Sequence, residues 1–162
     1  MRSGSRSVSV GLISDTHGLL RPEALCALAG SRHIVHAGDI GDPAVLEALR
    51  RIAPVTAVRG NNDRGSWARK LRDTEALDVA GTRIYVIHDL SQLEIDPAAQ
   101  GIDVVVAGHS HRPRNELRDG VLYVNPGSAG PRRFKLPVTV ARLALPARSV
   151  VFETLYSEAS LR

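Results

Sequence analysis

Cysteine, aromatic residues and long apolar runs are all scarce in this chain of 162 residues. A single cysteine, Cys26, excludes an internal disulfide bond and favours a reducing, cytoplasmic location. Aromatic residues make up 4% of the sequence, so few side chains are present on which the bases of a single-stranded nucleic acid would stack. No apolar run approaches the ~20 residues that a membrane-spanning helix needs, so no membrane contact is expected.

Positive charge slightly exceeds negative charge. The 21 Lys and Arg residues and 17 Asp and Glu residues give a net charge of +4. The basic residues gather in two places: Arg69, Lys70 and Arg72, and then Arg132, Arg133 and Lys135. A nucleic-acid-binding face is an alternative that this pattern leaves open, although scattered surface arginine is the default interpretation. The basic N-terminus MRSGSRSVSV is not followed by an apolar core, so no signal peptide is expected.

Five short apolar runs predict strands that are buried on both faces. They are rich in Val or Ile, each ends in Gly or a polar residue, and they span 8–14, 33–38, 54–60, 83–88 and 103–108. Helices are predicted at 22–29 and 43–51, the second with Asp42 as N-cap and Pro43 in its first turn. A shorter helix is predicted within 92–100. In the first helix, Cys26 is interpreted as a small buried hydrophobe rather than a nucleophile.

The other segments alternate strands with tight turns. Residues 73–88 indicate strand, glycine turn and strand, 115–125 a hairpin across Asp119-Gly120, and 138–156 a terminal hairpin. This mixture of β-α-β units and hairpins predicts an α/β fold of two packed mixed β-sheets flanked by helices, in a single domain spanning 1–162. Residues 61–70 and 127–137 are predicted to be loops.

Each of the five predicted strands ends in a side chain that can bind a metal ion. Two carboxylates, one amide and four imidazoles are placed in this way: Asp15, His17, Asp39, Asn61, His88, His109 and His111. Ligands of open α/β sheets bind beyond the carboxyl ends of the strands, so these side chains are expected along one edge. This number of ligands suits two divalent ions that share one carboxylate. Mixed imidazole and carboxylate donors suit Mn²⁺, Fe²⁺ or Zn²⁺, and the absence of a thiolate among them argues against structural zinc.

The individual motifs carry unequal weight. Asp-Thr-His at 15–17 and Gly-Asp at 38–39 are ordinary turn and helix-capping sequences when each is taken alone. Gly-His-Ser-His at 108–111 is more specific, because packing does not require two histidines after a valine-rich strand. His33 and His36 are predicted to be structural, with a role for His36 in orienting a ligand as the alternative.

Glycines precede three of the candidate ligands, at positions 38, 60 and 108. A residue without a Cβ is expected to let the backbone turn sharply at the point where a ligand must face inward. The three glycines therefore support the interpretation of these strand ends as parts of one site.

The motifs together resemble those of the calcineurin-like metallophosphoesterases. That family has D-x-H, G-D, G-N-x-D or G-N-H-D/E, an isolated His and G-H-x-H, in this order. This chain has DTH at 15–17, GD at 38–39, GNND at 60–63, His88 and GHSH at 108–111. The short length and the NPGS sequence at 125–128 resemble the small bacterial and archaeal phosphodiesterase branch. The resemblance implies a four-layer α/β/β/α sandwich.

The same resemblance implies a metal-dependent phosphodiesterase, which hydrolyses a small phosphodiester through a metal-bridging hydroxide. One ion would be bound by Asp15, His17, Asp39 and His111. The other would be bound by Asp39, Asn61, His88 and His109, so that Asp39 bridges the pair. Mn²⁺ is the expected ion, with Fe²⁺, Zn²⁺ and Ni²⁺ as alternatives.

Two positions depart from the family pattern. Many relatives have a His after the metal-binding Asn, where it protonates the leaving group, but this chain has Asn62. An amide cannot deliver a proton, so Asn62 and the adjacent Asp63 are predicted to contact the substrate phosphate or to hold a ligand in place. Relatives usually have Gly after the isolated His, whereas this chain has Asp89.

Two other functions are kept as alternatives. A eukaryotic retromer subunit resembles this fold, has lost part of the ligand set and works through protein contacts, whereas all seven ligand types are present here. A nuclease or nucleic-acid-binding protein is the second alternative, but the larger nucleases of the family add domains for which 162 residues leave little room. The sequence leaves the physiological substrate, the native metal and the oligomeric state open.

Overall fold

Five strands form a first mixed sheet that carries the N-terminal half of the candidate site. The computed structural model describes residues 7–133 and 135–156, so the basic residues 1–6 of the N-terminus lie outside the described residues. The strands are β1 (Val8–Ile13), β2 (His33–His36), β3 (Val55–Ala57), β9 (Val138–Leu145) and β10 (Ser149–Tyr156), in the order β10-β9-β1-β2-β3. β1, β2 and β3 are parallel, so their carboxyl ends meet at one edge.

A second mixed sheet contains the other five strands. They are β4 (Thr74–Val79), β5 (Thr82–Ile87), β6 (Val104–Ala107), β7 (Arg114–Arg118) and β8 (Val121–Asn125), in the order β4-β5-β6-β8-β7. β5, β6 and β8 are parallel, and the two edge strands pair antiparallel. The fold is therefore two packed mixed sheets, as the sequence predicts.

The helices are few and short. They are α1 (Pro22–Leu28), α2 (Pro43–Arg50) and α3 (Ser66–Arg69), with a 3₁₀ turn at Leu90–Gln92. α2 begins as predicted, because the Asp42 side chain accepts a hydrogen bond from the backbone N–H of Ala44 over 2.8 Å. α3 lies inside the segment 61–70, which was predicted to be a loop. In the part of the chain that the structure describes, no helix has the length and apolar composition to cross a membrane.

Three apolar layers hold these elements together. Val10, Val35, Val86, Val106 and Leu143 belong to the layer buried between the two sheets. A second layer packs α1 and α2 against the outer face of the first sheet. The third layer covers the outer face of the second sheet, where the 3₁₀ turn and an irregular segment replace the predicted helix.

The prediction of a helix within 92–100 is wrong. Leu93 and Ile95 both pack against the second sheet, and a spacing of two residues is typical of extended backbone rather than of a helix. The Asp89 carboxylate caps only one 3₁₀ turn, by accepting the N–H of Ser91 over 3.0 Å. Pro97 follows in a region of turns.

Two further expectations about burial are also wrong. Cys26 is exposed, because Ala24 and Leu28 face the sheet and Cys26, midway between them, lies on the opposite side of α1. β3 is half-buried rather than buried on both faces, because it forms the edge of the first sheet.

Candidate metal centre

All seven candidate ligands lie at the edge where the carboxyl ends of the parallel strands meet. Donor atoms of Asp15, His17 and His111 lie within 4.8 Å of one another, and so do those of Asp15, Asp39 and His88. The two other candidates adjoin these groups. Oδ1 of Asn61 is 2.9 Å from Nε2 of His88, and the rings of His88 and His109 are 5.2 Å apart.

Two buried polar atoms of this cluster lack hydrogen-bond partners among the residues that the structure describes. They are Oδ1 of Asp15 and Nε2 of His17, which are 3.9 Å apart. Nε2 of His17 also lies 3.8 Å from Oδ2 of Asp39, and Oδ1 of Asp15 lies 3.3 Å from Nε2 of His111. Buried polar atoms without partners are costly, and a bound cation would satisfy these atoms together. The residues present therefore fit a divalent metal ion.

His88 is oriented by a contact that joins the two sheets. Its Nδ1–H donates to the carbonyl of Ala37, beyond the end of β2, over 2.7 Å. In the neutral ring, the form that binds a metal, the lone pair of Nε2 then faces the site, 3.4 Å from Oδ2 of Asp39 and 2.9 Å from Oδ1 of Asn61. Three acceptor atoms thus face one another: Nε2 of His88, Oδ2 of Asp39 and Oδ1 of Asn61. A histidine ring that is oriented by a hydrogen bond from its other nitrogen to a backbone carbonyl is typical of metal-binding histidine.

The titration of these groups also favours a cation. Burial raises the pKa of Asp15, but the contacts with His111 and Ser14 outweigh it, so the pKa lies below its usual value. Burial likewise raises the pKa of Asp39, but His88 and the backbone of Asn62 hold that pKa well below its usual range. Burial lowers the pKa of His88, and the nearby Asp39 and Asp15 reverse this to a raised pKa. Both carboxylates are therefore charged at neutral pH, as metal binding requires.

Five of the seven candidate ligands have a left-handed backbone. Their φ angles are 56° for Asp15, 48° for His17, 55° for Asp39, 71° for His109 and 62° for His111. The other positive-φ residues besides glycine in the described part of the chain are Ala80, Asp119 and Arg148, which lie in hairpin turns. Left-handed backbone costs a side-chain-bearing residue ~1–2 kcal/mol, and such strain clusters at functional sites. Sequence reasoning missed this feature.

Two glycines are required for close approach rather than for a turn. A Cβ on Gly60 would collide with the carboxylate and backbone of Asp39, and one on Gly108 would collide with the side chains of Ser14 and Asp15. Neither glycine has a positive φ, so the expected sharp turn holds only for Gly38, at φ 101°.

His36 links the loops that follow β1 and β2. It is fully buried, and its Nδ1 accepts the N–H of Gly38 over 3.1 Å. Its Nε2–H therefore donates to Oγ1 of Thr16 over 3.0 Å, while Thr16 donates to the carbonyl of Ile40 over 2.8 Å. Burial lowers the pKa of His36 to about 4, so the ring is neutral at physiological pH. His33 makes a separate contact with Thr56, 2.8 Å away on β3.

The NPGS sequence forms hydrogen bonds to two of the loops that carry candidate ligands, the loop after β6 and the loop after β1. The Asn125 amide donates to the carbonyl of Gly108 and to Oγ of Ser110, both over 3.0 Å. Ser128 donates to the carbonyl of Asp15 over 3.1 Å. Sequence reasoning did not assign these roles, and the signal was a polar residue, Asn125, at the end of the buried strand β8.

Asn62 and Asp63 organise the loop that follows β3. Asn62 donates its backbone N–H to Oδ1 of Asp39 over 2.9 Å and its side-chain amide to Oδ2 over 3.0 Å. The two carboxylate oxygens of Asp63 accept the N–H groups of Gly41 and Gly60, each over 2.9 Å. Both residues are thus placed to hold the loops that carry the ligands.

Asp89 lies on the other side of the cluster. One of its carboxylate oxygens accepts from the hydroxyl of Ser91 over 2.8 Å, and the other lies 3.7 Å from Nε2 of His109. The side chain of His109 is 45% exposed, the most open of the four histidines in the cluster.

The sequence matches the model of one protein family over most of its length. The Calcineurin-like phosphoesterase superfamily domain matches residues 8–148, most of the chain. The protein is a member of this superfamily. As a calcineurin-like phosphoesterase, it belongs among metal-dependent hydrolases that act on phosphoester bonds.

Curated relatives of this calcineurin-like phosphoesterase come from archaea and bacteria. A probable metallophosphoesterase of Methanothermobacter thermautotrophicus is 36% identical over 155 residues, which cover 88% of this chain and 84% of the relative. A phosphodiesterase of Methanocaldococcus jannaschii is 26% identical over 139 residues, which cover 74% of this chain and 83% of the relative. Both matches extend over most of the two chains.

Solved structures show the same calcineurin-like fold. An archaeal phosphodiesterase superposes with a TM-score of 0.79 at 24% identity, covering 91% of this chain and all (100%) of the other. Vacuolar Protein Sorting 29 of Cryptosporidium parvum superposes with a TM-score of 0.73 at 18% identity, covering 94% of this chain and 99% of the other. At these identities the likeness concerns the fold alone.

Proposed function

We propose that the protein is a two-metal phosphodiesterase that hydrolyses a small phosphodiester. The observation that carries this proposal is a cluster of buried acceptor atoms that face one another, including Oδ1 of Asp15 and Nε2 of His17, which have no hydrogen-bond partner among the described residues. The relative from Methanocaldococcus jannaschii, a phosphodiesterase, supports the choice of a diester over a monoester.

The proposed ligand sets each draw on both sheets. Asp15, His17, Asp39 and His111 would hold one ion, and Asp39, Asn61, His88 and His109 would hold the other. Mn²⁺ is the proposed ion, since these donors are imidazole, carboxylate and amide without thiolate. When bound, two such ions supply a nucleophilic water near neutral pH and neutralise charge on the phosphoryl oxygens.

The chain itself positions and charges this site. Asn62 fixes both oxygens of Asp39, and the Ala37 carbonyl fixes the ring of His88. Asp63 draws the backbone of Gly41 towards that of Gly60, which keeps the loops after β2 and β3 together. The ligands are thus held in place by hydrogen bonds from neighbouring loops, as preorganised catalysis requires.

Asp63 and Asp89, two carboxylates that lie next to the candidate ligands, are not suited to protonate a leaving group. Both oxygens of Asp63 already accept backbone N–H groups, from Gly41 and Gly60, so this carboxylate is engaged in holding the loops together. Burial raises the pKa of Asp89, but hydrogen bonds from Ser91 outweigh it and hold that pKa below its usual value. The preferred substrate is therefore a diester whose leaving group is stable as an anion.

Metal analysis combined with a hydrolysis assay tests the proposal. Chelator-treated protein is reconstituted with Mn²⁺, passed through a desalting column and analysed for bound metal. We expect about two ions per chain, and hydrolysis of bis(4-nitrophenyl) phosphate that depends on Mn²⁺. Retention of no ion would contradict the proposal, whereas bound ions without hydrolysis of any diester would favour a scaffold.

A gel-shift series tests the nucleic-acid alternative. Binding through phosphates weakens steeply with salt, so a basic binding face predicts complexes with DNA or RNA that dissociate between about 50 and 200 mM salt. We expect no complex at either concentration.

A further inference from the structure

A partly enclosed cavity of about 140 Å³ adjoins the candidate metal centre on the outer side of the second sheet. Its walls include Leu90 of the 3₁₀ turn, Val105 and Ala107 of β6, and Tyr123 and Val124 of β8. Asp89, Gly108 and His109 also line it, so one wall of the cavity belongs to the metal centre itself. A group in this cavity would be next to anything bound between the metal ligands.

Polar side chains in the lining of the cavity already have partners in the protein. The Asn125 amide, which is part of the lining, is already engaged by Gly108, Ser110 and Gly127. Arg114 is exposed and forms an ion pair with Glu116. Aliphatic side chains are left to contact a ligand, together with the part of the Tyr123 ring that Arg118, 5.2 Å from the ring centroid, does not cover. Such a lining suits an apolar planar group.

The volume sets the size of that group. An apolar cavity of ~150 Å³ accommodates one benzene ring. The cavity here, at about 140 Å³, therefore has room for one six-membered ring and not for a fused bicyclic ring.

A second depression on the other side of the cluster is chemically unsuited to the same group. It is lined by Asn61 and His88 and by the carboxylates of Asp63, Asp73, Asp89 and Glu94. Arg59, its one lining cation among the described residues, is paired with Asp73 over 2.8 Å. Ile87 also lines this depression, but its four carboxylates would repel an anionic diester, so it suits the ester group less well than the cavity beside His109 does.

We propose that the cavity beside His109 binds one ester group of the substrate, a single planar six-membered ring, while the phosphoryl group lies among the metal ligands. This inference rests on the proposed function. It predicts that the enzyme prefers diesters with a monocyclic aromatic or pyrimidine-sized substituent over diesters with a methyl or a bicyclic substituent.

Calorimetric binding of two phosphonates to the Mn²⁺-loaded protein tests the proposal without catalysis. Methylphosphonate presents the anionic group alone, and phenylphosphonate adds one ring. We expect phenylphosphonate to bind about tenfold more tightly or better, because the ring is removed from water. Leu90→Trp should fill the cavity and abolish this preference while leaving the affinity for methylphosphonate unchanged.

Leu117→Trp is the matched control. Leu117 lies on β7, is 64% exposed and does not line the cavity, so this variant should keep the full preference for phenylphosphonate. Leu90→Ala provides a second variant, which enlarges the cavity and should strengthen the binding of 1-naphthylphosphonate relative to the unmodified protein.

The outcomes separate this inference from the proposed function. Equal affinity for the two phosphonates, or a preference that survives in a folded Leu90→Trp variant, would overturn the ring-binding cavity while the metal centre stands. Failure of both phosphonates to bind the Mn²⁺-loaded protein would overturn the phosphoryl site and the cavity proposal with it.

Discussion

Asn62 binds the carboxylate of Asp39 at two points, with its backbone N–H 2.9 Å from Oδ1 and its side-chain amide 3.0 Å from Oδ2. Two contacts fix the plane of the carboxylate as well as its position. At the position where the family pattern that the sequence resembles allows a histidine, this chain therefore has an amide that positions the proposed bridging ligand. Asn62 alone therefore accounts both for the missing proton donor and for the fixed position of the Asp39 carboxylate.

The first prediction concerns the leaving group. Because Asn62 cannot donate a proton to a departing oxygen, the hydrolysis rate should fall steeply as the pKa of the leaving group rises. Asn62→His should flatten this dependence, mainly by raising the rates of poor leaving groups, since general acid catalysis contributes ~10²–10⁴-fold. The measurement is kcat for a series of aryl methyl phosphates of graded leaving-group pKa, with saturating Mn²⁺.

Asn62→Ala is the control for that series. It removes the side-chain contact with Asp39 but keeps the backbone contact, so the rates should fall while the slope stays steep. A shallow slope in the unmodified protein would show that another group already protonates the leaving oxygen.

The second prediction concerns Asp39. Asp39→Asn should lower kcat by about a hundredfold or more, and by more than Asn61→Ala or His88→Ala, because only Asp39 is proposed to contact both ions and to offset their charge. Activity is compared at saturating Mn²⁺, and bound metal is measured in parallel. Retention of most of the kcat in Asp39→Asn would contradict the bridging role.

The third prediction concerns stability and metal. Asp15 and Asp39 lie in one cluster of donor atoms, so their charges repel each other in the absence of a cation. Binding to the native state alone stabilises by about 2.7 kcal/mol at a hundredfold excess of ligand over Kd. The Tm should rise with Mn²⁺ and fall with chelator in a thermal melt. An identical melt in both conditions would argue against a native metal site.

The fourth prediction concerns backbone strain. At His109, where φ is 71°, replacement by Gly should give a metal-free protein more stable than replacement by Ala, by about 1 kcal/mol. Asn61 is the matched position, since it is also an exposed candidate ligand but has no positive φ. There the Gly variant should be no more stable than the Ala variant. Chemical denaturation of the four chelated variants gives both differences, and equal differences at the two positions would refute the strain.

The fifth prediction concerns pH. Burial dominates the pKa of His36 and lowers it to about 4, from an ordinary value of 6.5, although Asp15 and Asp63 act in the opposite direction. The unfolded chain therefore binds more protons between pH 4 and 6.5, so the free energy of unfolding should fall as the pH falls through this range and level off above it. The contribution is about 3 kcal/mol.

His36→Gln isolates this contribution, because Gln has no titration in that range and keeps an N–H donor for Thr16. Denaturation of the metal-free proteins from pH 4 to 7.5 should show a smaller slope in the variant. Parallel curves would show that His36 is not the group responsible.

The strands and the placement of the candidate ligands could be predicted from the sequence because both depend on local pattern. A valine-rich run followed by a polar residue marks the end of a buried strand, and parallel strands bring such ends together. Asp15, Asp39, His88 and His109 were found in this way, and the structure places them at one edge. The capping of α2 by Asp42 is equally local.

Features that depend on tertiary contact could not be predicted. The sequence Asn-Asn-Asp alone does not show that Asn62 donates hydrogen bonds to Asp39 or that Asp63 accepts hydrogen bonds from two backbone N–H groups. The exposure of Cys26 depends on which face of α1 meets the sheet. The irregular segment after the 3₁₀ turn has enough helix-forming residues to suggest a helix, but burial of Leu93 and Ile95 on the sheet overrides that preference.

The candidate ligands are divided between the two sheets, so the affinity for metal depends on how the two sheets pack against each other. Asp15, His17, Asp39 and Asn61 follow strands of the first sheet, whereas His88, His109 and His111 follow strands of the second. Each proposed ligand set takes residues from both sheets, so its geometry depends on the alignment of one sheet over the other. A substitution such as Val106→Ala, deep in the layer between the sheets, would alter the affinity for metal without touching any ligand, and a bound pair of ions would in turn resist the sliding or separation of the two halves.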